Sequence, residues 1–344
     1  MKINHLLKAI QDVIDKENYS GTVMIKQGEE VILEKAAGFA DKSEERPNEL
    51  NTRFGTASGC KIFTATAICQ LVEKRLLGFN TKLTDCLDIS FAKWDEKITI
   101  HQLLTHSSGV PDYFDEKVMN DFEKLWKETP MYLLRGPSDF LPLFQHQPMK
   151  GEPGKVFQYN NAGYILLGLV VERLTGMPFT DYVNENIFKP AGMQSSGYFP
   201  MDELPRNTAY GYVEKSDGQY KTNVYSLPVK GGPDGGAYVT AGDMICFWEA
   251  LFENRLLGEE MIRLLASPHM KVKEGVYYGY GVWINSGGDA ADKYHVMGYD
   301  PGVSFHSGYF PEVDMWYAIP CNHSSGAFSI MKKIDEYIGS MSGR

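Results

Sequence analysis

No stretch of this sequence reaches the roughly 18 to 20 consecutive apolar residues that a membrane-spanning helix needs, so no such helix is expected. Cysteine is sparse: Cys60, Cys69, Cys86, Cys246 and Cys321 are odd in number and form no Cys-x-x-Cys pair. That argues against a disulfide framework or a zinc ribbon and fits a reducing compartment. The first residues, MKINHLLKAIQDVIDKENYSG, lack the charged start and unbroken apolar core of a signal peptide. They read as an amphipathic helix, and a cytoplasmic location is the expectation. Positive charge is also short, since 34 Lys and Arg against 44 Asp and Glu leave a net charge of −10. A field of that sign repels phosphate backbones and disfavours nucleic acid as a partner. Several catalytic signatures are missing: G-x-S-x-G, H-E-x-x-H and the P-loop pattern. The eight histidines are scattered without metal-ligand spacing, so neither a metal nor a cofactor is expected.

What is present is an ordinary globular composition. With 43% hydrophobic and 12% aromatic residues, the chain can build a core and is not a disordered segment. Its 344 residues suggest two domains, or one with a large insertion. Leu6, Leu7, Ile10 and Ile14 fall at helical spacing. The runs GTVMIKQ (21–27) and EVILEKAA (30–37), separated by Gly28-Glu29, read as a hairpin. A helical middle follows, with segments at 58–77, 99–105, 161–175, 179–188, 243–252 and 258–265. The end turns to strands again at 276–285, 302–310 and 313–320, before an amphipathic helix at 327–341. The expected fold class is therefore α+β: an antiparallel sheet flanked by N- and C-terminal helices, plus a mostly helical inserted domain. Residues 1–56 and 268–344 would form the sheet domain, 57–267 the helical one, and the site would lie at their seam.

Ser-x-x-Lys occurs three times, at Ser58…Lys61, Ser90…Lys93 and Ser329…Lys332. Ser90 sits in a charged loop and Ser329 on a terminal amphipathic helix. Ser58 lies where an extended segment meets an apolar helix. Lys61, one turn on, shares its face at an axial offset of roughly 4.5 Å, from a rise of about 1.5 Å per residue. The helix N-terminus favours negative charge there, and a desolvated lysine could act as a base or share a proton. The alternative is an N-cap serine followed by a lysine that snorkels to water. Tyr-x-Asn occurs twice. Tyr182…Asn184 is mid-helix, where tyrosine packs. Tyr159…Asn161 follows the turn Gly151-Glu152-Pro153-Gly154 and precedes a helix start, a position that suits function. Tyr159 packing on the core, with Asn161 a plain N-cap, is the other reading.

Together these segments resemble the serine β-lactamase and penicillin-binding-protein family, on its class C, esterase and D-peptidase side. The resemblance runs through FGTASGCKIFTATAICQLVEKRLLG (54–78), ITIHQLLTHSSGVPDY (98–113), FQYNNAGYILLGLVVERLTG (157–176), GGAYVTAGDM (235–244), YGYGVW (278–283) and GYDPGVSF (298–305). It implies a β-lactamase/transpeptidase-like fold and a metal-free serine hydrolase working through an acyl-enzyme. Ser58 would be the acylated nucleophile and Lys61 its proton partner. Tyr159 would be the base or shuttle. Asn161 would orient the acyl carbonyl and hold Lys61. Gly298 would lie beside the oxyanion hole, formed by the backbone N–H of Ser58 and of Tyr299 on an edge strand. His106, in LLTHSSG, matches a structural stretch of the family. Loops in 110–150 and 200–235 would shape the acyl pocket.

One position departs from the pattern. The family's third motif places Lys or His two residues before the motif glycine. Here that position is Val296, in Val296-Met297-Gly298. His295 is one residue too early and should face away, because strand neighbours point to opposite sides. The basic residue normally helps bind a substrate carboxylate. Its absence favours small-molecule ester or amide substrates over β-lactams and D-Ala-D-Ala peptide ends. A β-lactamase or D-Ala-D-Ala carboxypeptidase is the second reading, and a catalytically weak binding scaffold the third. Cys60 is expected to be a buried small residue, and the glycine-rich stretch 231–242 a loop near the site.

Overall fold

The protein's structure, a computed structural model, describes residues 3–115, 119, 121–288 and 290–341. An eight-stranded antiparallel sheet organises it. In chain order the strands are β1 (Gly21–Gln27), β2 (Glu30–Ala37), β3 (Met270–Lys273), β4 (Val276–Tyr278), β5 (Trp283–Asn285), β6 (Lys293–Asp300), β7 (Val303–Phe310) and β8 (Met315–Cys321). Their spatial order is β2-β1-β8-β7-β6-β5-β4-β3, so strands from both ends of the chain meet at the β1–β8 pair. Strand β8 is buried at every position because both sheet faces are covered there.

Two layers cover those faces. On the outer face, α1 (Ile3–Lys16) buries Leu6, Ile10, Val13 and Ile14, and α5 (Ala327–Met341) buries Ile330, Ile334 and Tyr337. Those stripes pack on Val23, Ile25, Tyr317 and Ile319. On the inner face lies the larger core, with α2 (Lys61–Glu73), α3 (Asn161–Thr175) and α4 (Ala241–Phe252). Helices α2 and α3 are buried through most of their length, which explains their nearly unbroken apolar sequences. Among the described residues, no single helix is long and apolar enough to cross a membrane.

Three local expectations change. The 276–285 segment is not one strand but the hairpin β4–β5, and Gly281 between them takes φ +72°. Such a φ favours glycine and reverses the chain. The serine helix ends at Glu73, not Leu77, because Arg75 adopts φ +58°. Strand β6 is not an edge strand, since β7 flanks one side and β5 the other. However, β5 pairs only with Lys293, Tyr294 and His295. Beyond His295, β6 has no strand partner on that side among the described residues, and the serine turn packs there instead.

Candidate active site

The serine turn is fixed before α2 begins. Phe54 and Gly55 pair with Val239 and Tyr238, and the Thr56 N–H donates to the Ala237 carbonyl (2.9 Å). Ala57 then takes φ +45°, a sparsely allowed conformation for a residue with a side chain. A 3₁₀ turn, Ala57–Cys60, carries Ser58 and leads directly into α2. The turn abuts the free half of β6 at Gly298. A Cβ at Gly298 would lie 2.1 Å from the Thr56 carbonyl oxygen and 2.7 Å from the Ser58 nitrogen. Only glycine permits this approach, which sets the Ser58 N–H beside the strand that carries Tyr299.

Lys61 is buried, 1% exposed, in the first turn of α2. Its Nζ contacts Ser58 Oγ at 2.9 Å, Asn161 Oδ1 at 2.8 Å and the Asp234 carbonyl at 2.5 Å. Three partners match the three donors of an ammonium, so the burial of this group is compensated. It also lies 5.0 Å from the Tyr159 ring centroid and 5.6 Å from that of Tyr164.

Asn161 reaches Lys61 because it is not the helix cap. Asn160 caps α3, its side chain accepting from the Gly163 N–H at 2.7 Å. The Asp112 carboxylate accepts the N–H groups of Asn161 (2.8 Å) and Ala162 (3.0 Å). Burial pushes the Asp112 carboxyl up to about 7, against the opposing pull of those bonds. Tyr159 stacks on Trp283 (ring centroids 6.2 Å apart) and packs on His106 (4.2 Å).

His106 is buried, and both its ring nitrogens have partners. Its Nδ1 accepts the Asn160 N–H at 3.1 Å, which leaves Nε2 to carry the proton toward Tyr278 Oη at 3.2 Å in the neutral ring. Burial, and after it the charge of Lys61, hold the imidazole well below its ordinary range.

Ser58, Tyr159, Asn161, Gly298 and Tyr299 all line one cleft of about 600 Å³. Gly231, Gly232, Gly235 and Gly236 form part of its wall. Its apolar side includes Phe114, Phe122, Phe140, Phe199 and Met201. Within the 110–150 segment, Glu116, Lys117, Val118 and Asn120 lie outside the described residues. Among the described lining residues Lys230 is the one basic side chain, and its Nζ donates to Thr180 Oγ1 at 3.2 Å. Val296 is buried in the inner core, 2% exposed. His295 does not line the cleft, and its Nε2 meets Asn285 Oδ1 at 2.9 Å. Tyr299 contacts His306 Nε2 through its hydroxyl, a partnership the sequence did not suggest.

The other motif copies lie elsewhere. Ser90 and Lys93 are exposed, and neither Ser329 nor Lys332 lines the cleft. Tyr182 is a core residue bonded to Gln70 Oε1 at 3.1 Å. Cys60 is fully buried, and burial pushes its thiol up to about 11. Among the described residues, no three His, Cys, Asp or Glu side chains converge as a metal ligand set. Asp112, Tyr113 and Asp234 were not singled out by spacing, because each acts through a group at least 49 positions away in the chain.

The sequence model of the β-lactamase family matches residues 6–327. Penicillin-binding protein 4* of Bacillus subtilis is 29% identical over 299 residues, covering 82% of this chain and 63% of that protein. The chain thus spans 63% and 66% of the length of two curated relatives from that organism, just under two thirds of each. The crystal structure of a penicillin binding protein from Bacillus halodurans is 54% identical, with a TM-score of 0.92, covering 95% of this chain and 99% of that one. D-amino acid amidase from Ochrobactrum anthropi, complexed with D-phenylalanine, shares the fold with a TM-score of 0.79 at 23% identity, covering 98% and 99% of the two chains. With the family match running across nearly all of the sheet and the helical body between its strands, the chain belongs to the β-lactamase family and has its fold.

Proposed function

We propose that the protein is a serine hydrolase that forms an acyl-enzyme at Ser58 and acts on uncharged esters or amides. The observation that carries this reading is the set of three contacts at Lys61 Nζ. Asn161 Oδ1 and the Asp234 carbonyl can only accept. When Lys61 is a neutral amine, its two N–H groups serve those oxygens and its lone pair faces Ser58 Oγ. The Ser58 proton then passes to Lys61 as Oγ attacks the substrate carbonyl. The N–H groups of Ser58 and Tyr299 receive the oxyanion as the tetrahedral intermediate forms. Its collapse breaks the carbonyl bond to the leaving group, which takes a proton through Tyr159. Water then attacks the acyl carbonyl and gives up a proton to the same groups; the bond to Ser58 Oγ breaks, Oγ takes that proton back, and the acid leaves a neutral Ser58.

Val296, which supplies no cation for a carboxylate, and the largely apolar cleft favour an uncharged substrate. The names of the relatives favour a second reading, acylation by penicillins. The two separate in one experiment. Nitrophenyl butyrate should be turned over by the native chain and not by the Ser58→Ala variant. A penicillin should add to the intact mass slowly and sub-stoichiometrically. Rapid one-to-one acylation by penicillin would reverse the order of the readings, and undiminished ester turnover by Ser58→Ala would end both.

A further inference from the structure

We propose that the segment Val110–Tyr113 is a two-armed brace that aims Lys61 at Ser58, with Asp112 and Tyr113 as positioning residues. The proposal rests on the acyl-enzyme reading and adds residues to it. One arm is Asp112. Its carboxylate holds the N–H groups of Asn161 and Ala162, and Asn161 Oδ1 is one acceptor of Lys61. The other arm is Tyr113, whose hydroxyl donates to the Asp234 carboxylate. The carbonyl of that same Asp234 is the second acceptor of Lys61. Adjacent residues of one segment thus secure both partners of Lys61 other than Ser58. A third fastening ties the segment to α3, since Asn160 Nδ2 donates to the Val110 carbonyl at 2.8 Å.

Helix capping alone does not account for Asp112. Asn160 already caps α3 through Gly163. A buried carboxylate is a costly second cap, because desolvation disfavours its charge. What Asp112 adds is a fixed orientation for the backbone of Asn161, hence for its side chain. Tyr113 and Asp234 are likewise buried, each 6% exposed, so neither arm can swing freely. The chemical consequence follows from the amine. With both acceptors fixed, a neutral Lys61 has one remaining direction for its lone pair, toward Ser58 Oγ. If either acceptor loosens, rotation about Cε–Nζ lets an N–H compete for that direction. Proton transfer from Ser58 then slows, although the substrate still binds.

The test uses Tyr113→Phe, Asp112→Asn, Asp112→Ala and the Tyr113→Phe/Asp112→Asn pair in the full chain. Acylation is read as the burst of nitrophenol from nitrophenyl butyrate, per serine titrated with a fluorophosphonate. Misfolded protein is thereby excluded from the rate. Positioned proton transfer contributes typically 10²–10⁴-fold, so each conservative variant should lose roughly 10- to 100-fold in the acylation rate constant. Half-saturation should stay within about twofold, and the pair should lose less than the product of the singles, because both act on one amine. Asp112→Asn, which keeps one accepting oxygen, should lose less than Asp112→Ala. Native-rate acylation by Tyr113→Phe, or losses confined to half-saturation, would overturn the brace. If the native chain shows no Ser58-dependent burst, the acyl-enzyme reading itself has failed, a result distinct from native-like variants.

Discussion

Replacing Lys61 with methionine is expected to slow acylation of Ser58 by at least about 10³-fold, the upper part of the range for losing a positioned proton acceptor. Methionine is unbranched, apolar and one atom shorter than lysine, so packing of the stem in the first turn of α2 is largely retained. What disappears is the group within 2.9 Å of Ser58 Oγ. The change also strips two buried acceptors, Asn161 Oδ1 and the Asp234 carbonyl, of a donor. Each orphaned group costs about 1–3 kcal/mol, offset in part because no charge is any longer buried. The variant should therefore fold with a lowered melting temperature and remain a soluble chain. Nitrophenol release per folded molecule, measured beside thermal unfolding, separates the two effects. Near-native turnover by Lys61→Met would mean that Ser58 finds its base elsewhere.

Gly298→Ala should have the second large effect. The added methyl would meet the Thr56 carbonyl at 2.1 Å, the Ser58 nitrogen at 2.7 Å and the Gly59 nitrogen at 2.8 Å. All three are backbone atoms of the serine turn, so no side-chain rotation relieves the overlap. The turn and β6 must part, which separates the N–H of Ser58 from that of Tyr299. Loss of one oxyanion donor costs about 10²–10³ in rate, and a loss of at least that size is expected in kcat. Gly288→Ala is the control. Its methyl would meet nothing within 4 Å and should leave kcat unchanged.

Parts of this arrangement were legible in the chain because they depend on near neighbours. One helical turn puts Lys61 on the face of Ser58. The apolar run from Asn161 to Thr175 is the observed helix α3, closed by Gly176 at φ +69°. The hairpin at 21–37 follows from two β-rich runs around Gly28, which takes φ +54°. Other features depend on partners distant in the chain. The Asp112 contacts span 49 and 50 positions, and the Tyr113–Asp234 bond spans 121. No spacing rule reports such pairs. The alternative expectation of Asn161 as a plain N-cap fails for a related reason, since Asn160 is the cap. Two adjacent asparagines are equally good caps in isolation, and the buried lysine 100 positions earlier decides which one is spared. The single strand expected at 276–285 runs across Gly279 and Gly281, and glycine inside a strand pattern is also a turn signal. The place of β6 in the sheet was misread because half of it behaves as an edge and half does not.

An acyl-enzyme mechanism requires that Ser58 be a nucleophile activated where it sits. Its most direct test is reaction with a fluorophosphonate, followed by intact-mass measurement and peptide mapping. One adduct per chain is expected, located on the peptide that contains Ser58 and absent from the Ser58→Ala variant. No adduct on a folded native chain, or an adduct on another residue with ester turnover intact in Ser58→Ala, would contradict it.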